Sequence, residues 1–187
     1  PHLINADSVV CTNRTGAAGA VAHLIAQGHR RIGYLGDLRT IDTAADRHQG
    51  YLDALAAAGF DQDASLERHD LHDSWVADDA VAELLDGPNP PTALFTSQNL
   101  VTIGAIRALR ARDLQHRVAL VGFDDFDLAD LLDPAVTVVA QDITGIGRLA
   151  AEVLFARMNG DTSPVQVHTL PTRLVARGSG EIPPPPD

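Results

Sequence analysis

Apolar positions fall into two arrangements that take turns along the chain. The first is a short run with no polar break. Val118-Ala119-Leu120-Val121 is the clearest, and Ile32-Gly33-Tyr34-Leu35 and Ala93-Leu94-Phe95 are of the same kind. Such runs suit strands buried on both faces of a parallel sheet. The second places apolar residues three and four apart: Val21, Leu24 and Ile25; Tyr51, Leu52, Leu55 and Ala56; Ile103, Ile106 and Leu109. These are helix faces. The pattern predicts strands at 8–12, 32–35, 66–69, 92–96, 118–121 and 136–140. It predicts helices at 17–27, from about 47 to 58, and at 75–85, 100–112 and 143–158, with 13–16 a turn. Gly28 and Gly59 stop two of the helices, and Gly87-Pro88-Asn89-Pro90-Pro91 cannot continue a third. Residues 126–132 read as a short helix ending before Pro134. Residues 165–175 alternate and contain Pro171, which suits an edge or hairpin strand. Strands and helices in strict alternation predict an α/β fold, a doubly wound parallel sheet.

Composition narrows the picture. The 187 residues are 45% apolar but only 4% aromatic, so the core is built from Ala, Val, Leu and Ile. The formal net charge of −11 argues against this chain itself gripping a nucleic-acid backbone, which calls for a basic face. Cys11, the single cysteine, lies in an apolar run and reads as a small buried hydrophobe in a reducing compartment. No stretch reaches the ~20 apolar residues of a membrane helix. Pro1 to Asn5 show no signal-peptide pattern and no initiator methionine, so a trimmed fragment is expected. Pro183 to Pro186 should form an extended, solvated tail.

Polar residues cluster just past the strand ends, where open α/β sheets bind ligands. Gln98-Asn99 follow one strand, Asp124-Asp125 the next, and Arg47 follows the loop after Gly36. An arginine fork, a carboxylate and amides suit a small polar molecule rich in hydroxyls or carrying an anion. There is no nucleophile–base pair. Ser97 is the one nearby nucleophile, and His72 the one histidine in a matching loop. Asp124 reads as a ligand contact and Asp125 as a cap for the 126–132 helix; a metal on these two carboxylates would need more ligands. The histidines form no metal-binding motif and read as surface residues, and His29-Arg30-Arg31 as a solvated corner. Trp75 either stacks on a ligand or anchors the helix it starts. No phosphate-loop motif is present, and neither a cofactor nor a metal is expected.

Several motifs together resemble the effector-binding core of LacI/GalR-type transcription regulators. They are Ala22-His23-Leu24-Ile25-Ala26-Gln27-Gly28-His29-Arg30-Arg31-Ile32-Gly33-Tyr34, Arg47-His48-Gln49-Gly50-Tyr51, Val121-Gly122-Phe123-Asp124-Asp125 and Leu170-Pro171-Thr172-Arg173 with Arg177-Gly178-Ser179. The resemblance implies the type I fold of periplasmic sugar-binding proteins. It implies a C-terminal effector-binding lobe from 36–133 and 165–177, and a partial N-terminal lobe from 1–35 and 136–160, with 180–187 a proline-rich tail. It implies an effector, a sugar or purine, held by Arg47, Gln98 and Asp124 with Asn13 from the other lobe. His72 stands where the family often has a stacking aromatic, with Trp75 three residues on. Gln98, Asn99 and Thr12 depart from the family's usual Asn, Asp and Asp. The family's DNA-binding headpiece is not in these residues, so operator DNA is expected to be reached only through such a headpiece. A part-lobe should also expose apolar surface to a partner.

The expected protein is thus a cytoplasmic, homodimeric regulator, a repressor that is not an enzyme and touches no membrane. The alternative on the same fold is the solute-binding protein of a sugar transporter. A third possibility is a metal-dependent hydrolase using Asp124 and Asp125.

Overall fold

A computed structural model describes residues 6–186. Among them, six strands form one sheet in the order β3 (Glu67–Arg68), β2 (Ile32–Leu35), β4 (Ala93–Thr96), β5 (Ala119–Phe123), β6 (Thr137–Ala140), β8 (Arg173–Val175). All neighbours run parallel except the β6–β8 pair. A separate two-stranded parallel sheet joins β1 (Ser8–Cys11) to β7 (Val167–Leu170).

The unbroken apolar runs have a direct cause. Successive residues of a strand point to opposite faces, and here both faces are covered. Ile32, Tyr34, Phe95, Val121 and Phe123 face a core shared with helices α1 (Asn13–Ala26) and α2 (Asp42–Ala57). Leu35, Leu94, Leu120 and Val138 face the opposite core, shared with α3 (Ser74–Leu85) and α4 (Asn99–Ala111). The expected α/β doubly wound architecture is therefore present. Gly50 shows how tightly the helices lie: a Cβ there would sit 2.1 Å from the Arg14 carbonyl oxygen of α1. Only a residue without a side chain fits that approach.

Helix α5 (Ile143–Met158) packs mainly on β1. Gly145 is its only buried residue, and Ile143, Leu154, Phe155 and Met158 are more than half exposed. This layer therefore carries an apolar outer surface. Arg157 anchors the end of α5 through a two-pronged pair with Asp7, at 2.7 and 3.0 Å.

Several expectations change. Helix α1 starts at Asn13, four residues before the predicted start, and α2 at Asp42, not near Arg47. Residues 126–132 form turns and no helix. Seven residues before a proline give few bonds to offset the cost of nucleation. Segment 165–175 is two strands in two sheets, divided at Pro171. The strand at 32–35, expected in the N-terminal lobe, is interior to the six-stranded sheet, as is 137–140. Conversely, 167–170, expected in the C-terminal lobe, pairs with β1.

His29 is fully buried, not solvated; its Nε2 lies 2.8 Å from the Ile182 carbonyl oxygen and its Nδ1 2.9 Å from Thr92 Oγ1. Most described histidines are at least half-buried, contrary to a surface reading. The start of the expected tail is folded in: Ser179 and Gly180 are buried in a single helical turn, and Ser179 Oγ donates to the Leu120 carbonyl at 2.6 Å. Pro183, Pro185 and Pro186 are exposed, while Pro184 lies against Gly28. The readings made for Pro1 to Asn5 fall outside the described residues.

Candidate functional site

Arg47 is the centre of the candidate site. It sits in the second turn of α2, is 8% exposed, and reaches over the carboxyl ends of the strands. Its Nε donates to Asn13 Oδ1 at 2.8 Å; its Nη1 donates to the Ser97 carbonyl at 2.6 Å and to Asp124 Oδ2 at 3.2 Å. The guanidinium lies 3.9 Å from the Phe123 ring centroid, a cation–π stack. A buried charge is tolerable only when paired and hydrogen-bonded, and Arg47 meets both conditions.

Each partner owes its place to a strand end. Asp124 follows β5, with its backbone in the left-handed region at φ 73° and its N–H donating to the Val139 carbonyl at 2.9 Å. That turn swings the carboxylate back toward Arg47. Its second oxygen accepts from Gln141 Nε2. Ser97 follows β4, and Asn13 opens α1 just after β1. The order β3-β2-β4-β5 puts the change of winding direction between β2 and β4, the place where doubly wound sheets form a crevice.

Of the residues expected from sequence, Arg47, Asp124 and Asn13 are bonded together. Gln98 is beside them, one residue past Ser97, but its amide is turned to Asp37 Oδ2 (2.8 Å) and the Leu71 carbonyl (3.2 Å). His72 and Trp75 are not joined to the cluster. His72 is exposed and bonded to its own loop, with Nδ1 3.1 Å from the Asp70 carbonyl oxygen. Trp75 is 68% exposed under the Arg107 guanidinium, 4.1 Å from its ring centroid. Asp73, not Trp75, starts that helix, accepting from the backbone N–H groups of Trp75 and Val76.

Asp125 caps nothing, because no helix follows. Arg177 holds it with a two-pronged pair at 2.8 and 2.6 Å, and this neighbour pulls its carboxyl below the usual aspartate range. Asp124 and Asp125 thus turn to different arginines, which opposes a shared cation between them. Cys11 is buried under the cluster and its thiol is pushed up, by burial first and then by the charge of Asp124. That favours the inert thiol.

Gln141, Phe123 and Asp37 belong to the cluster and were not anticipated. Gln141 follows β6 by one residue, so the strand-end rule that singled out Asp124 also applies to it. Among the described residues three segments cross between the two sheets, at 12–13, 141–142 and 171–172, and Asn13 and Gln141 stand on two of them. Thr172 N donates to Thr12 Oγ1 at 2.9 Å, closing two of these crossings on each other.

A doubly wound sheet tied to a second sheet by three crossings, with a polar cluster at the junction, is the architecture of the periplasmic-binding-protein class. The chain belongs to the periplasmic binding protein-like domain family, whose model matches residues 21–180. Among curated proteins it is 38% identical over 173 residues to the HTH-type transcriptional regulator CelR of Thermobifida fusca, covering 90% of this chain and 50% of that one. It is 32% identical over 169 residues to the HTH-type transcriptional repressor CytR of Escherichia coli strain K12, covering 89% and 50%. Among solved structures, a transcriptional regulator CelR–cellobiose complex superposes with a TM-score of 0.87 at 33% identity, over 94% of this chain and 54% of that one. The resemblance to LacI/GalR-type regulators is borne out. The chain spans about half the length of the curated relatives it matches.

Proposed function

We propose that this chain is the effector-sensing core of a transcription regulator, a repressor that binds a sugar- or purine-like molecule at Arg47, Asp124, Gln98 and Asn13. The observation that carries the reading is the buried Arg47 guanidinium at the sheet's switch point. It is fixed by three acceptors, and among the described residues none accepts from its Nη2. A hydroxyl or anionic group would meet two preoriented N–H donors there, beside the Asp124 and Gln141 side chains. His72 and Trp75 would serve at the rim.

Binding across the crossings would favour one arrangement of two lobes over another, and a ligand can shift that balance only by its differential affinity. One lobe is the six-stranded sheet with its helices. The other includes β1, β7 and α5, whose exposed apolar face further chain would cover. In the cytoplasm, a homodimer would carry the shift to operator DNA through headpieces outside these residues, since two-fold symmetry matches paired half-sites. The cluster offers hydrogen bonds but no activated nucleophile, in keeping with a binder and not an enzyme. Relatives that are regulators favour this reading over a transporter's solute-binding protein.

Calorimetry with a panel of sugars, cellobiose included, and purine nucleosides tests it. At least one compound should bind, and Asp124→Asn should abolish that binding. Unchanged affinity in the variant would remove Asp124 from the site.

A further inference from the structure

A second cluster joins α2 to the β3 edge of the large sheet. His48 is the residue after Arg47; Glu67 and His69 are two apart along the β3 edge and so project to one side. Glu67 Oε2 is 2.8 Å from His48 Nε2 and 3.1 Å from His69 Nε2, and the three potential ligand atoms all lie within 4.8 Å of one another. Donors ~2.0–2.1 Å from a common tetrahedral ion stand roughly 3.4 Å apart, so the two Glu67–imidazole distances would open by a few tenths of an ångström and the rings would close on the ion.

The surroundings hold the three in place. Gln62 Nε2 donates to the other Glu67 oxygen at 2.6 Å, which fixes the carboxylate with Oε2 toward the imidazoles. Such outer hydrogen bonds orient ligands in metal sites. The Tyr34 ring packs on both imidazoles, with centroids 4.8 and 5.4 Å away. The Glu67 side chain is 4% exposed, while those of His48 and His69 are 14% and 18% exposed. Burial works to raise the Glu67 carboxyl, but hydrogen bonds from Gln62, His48 and His69 outweigh it and keep the group ionised. His69 is held below its ordinary value by burial first, against the pull of Glu67, with Arg39 and His48 adding to the shift. An ionised carboxylate and a neutral imidazole are forms that ligate.

We propose that His48, Glu67 and His69 form a binding site for a divalent transition-metal ion, Zn²⁺ foremost, with water completing the coordination. Two imidazoles and one carboxylate suit such an ion better than Mg²⁺ or Ca²⁺, which take all-oxygen shells. On binding, each neutral ring moves its proton to Nδ1 and turns the Nε2 lone pair to the metal. A ring that began protonated releases one proton to solvent. The ion would tie α2, one residue from Arg47, to the β3 edge. The site is independent of any effector.

The test is calorimetric titration of the chelator-stripped full chain with ZnCl₂, with Co²⁺ absorption as a probe of coordination. One Zn²⁺ should bind per chain and Mg²⁺ should not compete. Loss of outer hydrogen bonds alone typically costs ~10–100-fold in affinity, so His48→Gln and His69→Gln should each weaken binding by about a hundredfold or more. His116→Gln, at an exposed position outside both sites, should leave Zn²⁺ binding unchanged. In the unmodified chain, Zn²⁺ should shift the ring proton resonances of His48 and His69 but not those of His29. That measurement decides the matter even if a variant misfolds. No saturable Zn²⁺ binding, or unmoved His48 and His69 resonances, overturns the proposal and leaves a hydrogen-bonded buried carboxylate.

Discussion

Asp124→Asn isolates the charge in the Arg47 cluster. Asparagine keeps the size of the side chain and tolerates the left-handed backbone that Asp124 adopts at φ 73°. Gln141 can turn its amide to face the new NH₂ group, so the hydrogen-bond pattern survives and mainly the negative charge is lost. Arg47 and Asp124 stand 3.2 Å apart, with side chains 9% and 23% exposed. At an effective dielectric of about 20, their attraction is roughly 5 kcal/mol. The asparagine oxygen recovers part of that, and the Ser97 carbonyl and Asn13 Oδ1 still accept from Arg47. Breaking a buried pair usually costs ~3–5 kcal/mol; the retained acceptors should bring this one to about 2–3 kcal/mol. At ~2–4 °C per kcal/mol for a chain of this size, the melting point should drop by roughly 5–10 °C.

Urea unfolding followed by circular dichroism measures the loss, and the slope should stay unchanged if only stability moves. Pairing the change with Arg47→Gln closes a double-mutant cycle. The two changes together should cost less than their sum, because removing both charges leaves neither stranded. A loss of less than ~0.5 kcal/mol, or strict additivity, would refute the coupling. Since the proposed binding would draw on the same contacts as stability, an effector assay on this variant needs the folded fraction measured first.

Three further outcomes follow from the geometry. Gly50→Ala should destabilise by about 1–3 kcal/mol, as overpacking does, because its Cβ would meet the Arg14 carbonyl oxygen at 2.1 Å; Gly59→Ala, with nothing near its Cβ but a backbone at φ 74°, gives the purely conformational comparison by the same melt. Arg177 depresses Asp125 below its ordinary 3.8, so their pair contributes fully above about pH 4 and is lost as pH falls through the lowered value. Arg177→Gln should lower stability at neutral pH and flatten that part of the acid limb, measured by urea midpoints from pH 2 to 6. His29 is lowered from 6.5 by burial, against its bond to Ile182, so the unfolded chain takes up its proton first. Stability should fall as pH drops below about 6.5, and His29→Phe should remove that slope, at the cost of leaving the Ile182 carbonyl unpaired.

Burial on both faces made the central strands readable, since β2, β4 and β5 carry apolar residues to two cores at once. The helix starts were hidden for a physical reason. In α2, residues 42–46 include only one buried residue, Ala44, so the first turn has no apolar face to announce it. In α1 the polar Asn13-Arg14-Thr15 looks like a turn, but its polar groups are used sideways: Asn13 by Arg47, and Arg14 by Asp53 at 2.5 Å. Asp124 and Arg47 were legible because strand ends and a matched motif both pointed to them. Gln141 obeyed the same rule unnoticed. The His48–Glu67–His69 cluster was not legible, because its ligands come from a helix and an edge strand with no motif spacing. His72 and Trp75 rested on loop position, residue type and resemblance, and the structure leaves both outside the Arg47 network.

In the proposed sensor Arg47 would have two jobs, and they would constrain each other. Its bonds to Asn13, Ser97 and Asp124 link the ends of β1, β4 and β5, which belong to two different sheets. A guanidinium that only bound ligand could be exposed and mobile, and one that only held the fold would need no donor left over. Here the structural bonds use Nε and Nη1 and fix the plane of the group, so Nη2 is aimed before any ligand arrives. Preorganisation of this kind lowers the ordering cost of binding. It also means that a ligand engaging Nη2 and Asp124 together would compete with the ion pair that joins the sheets. A molecule making both contacts could loosen or tighten the Asn13 crossing, which gives the proposed sensor a physical means of reporting that it is occupied.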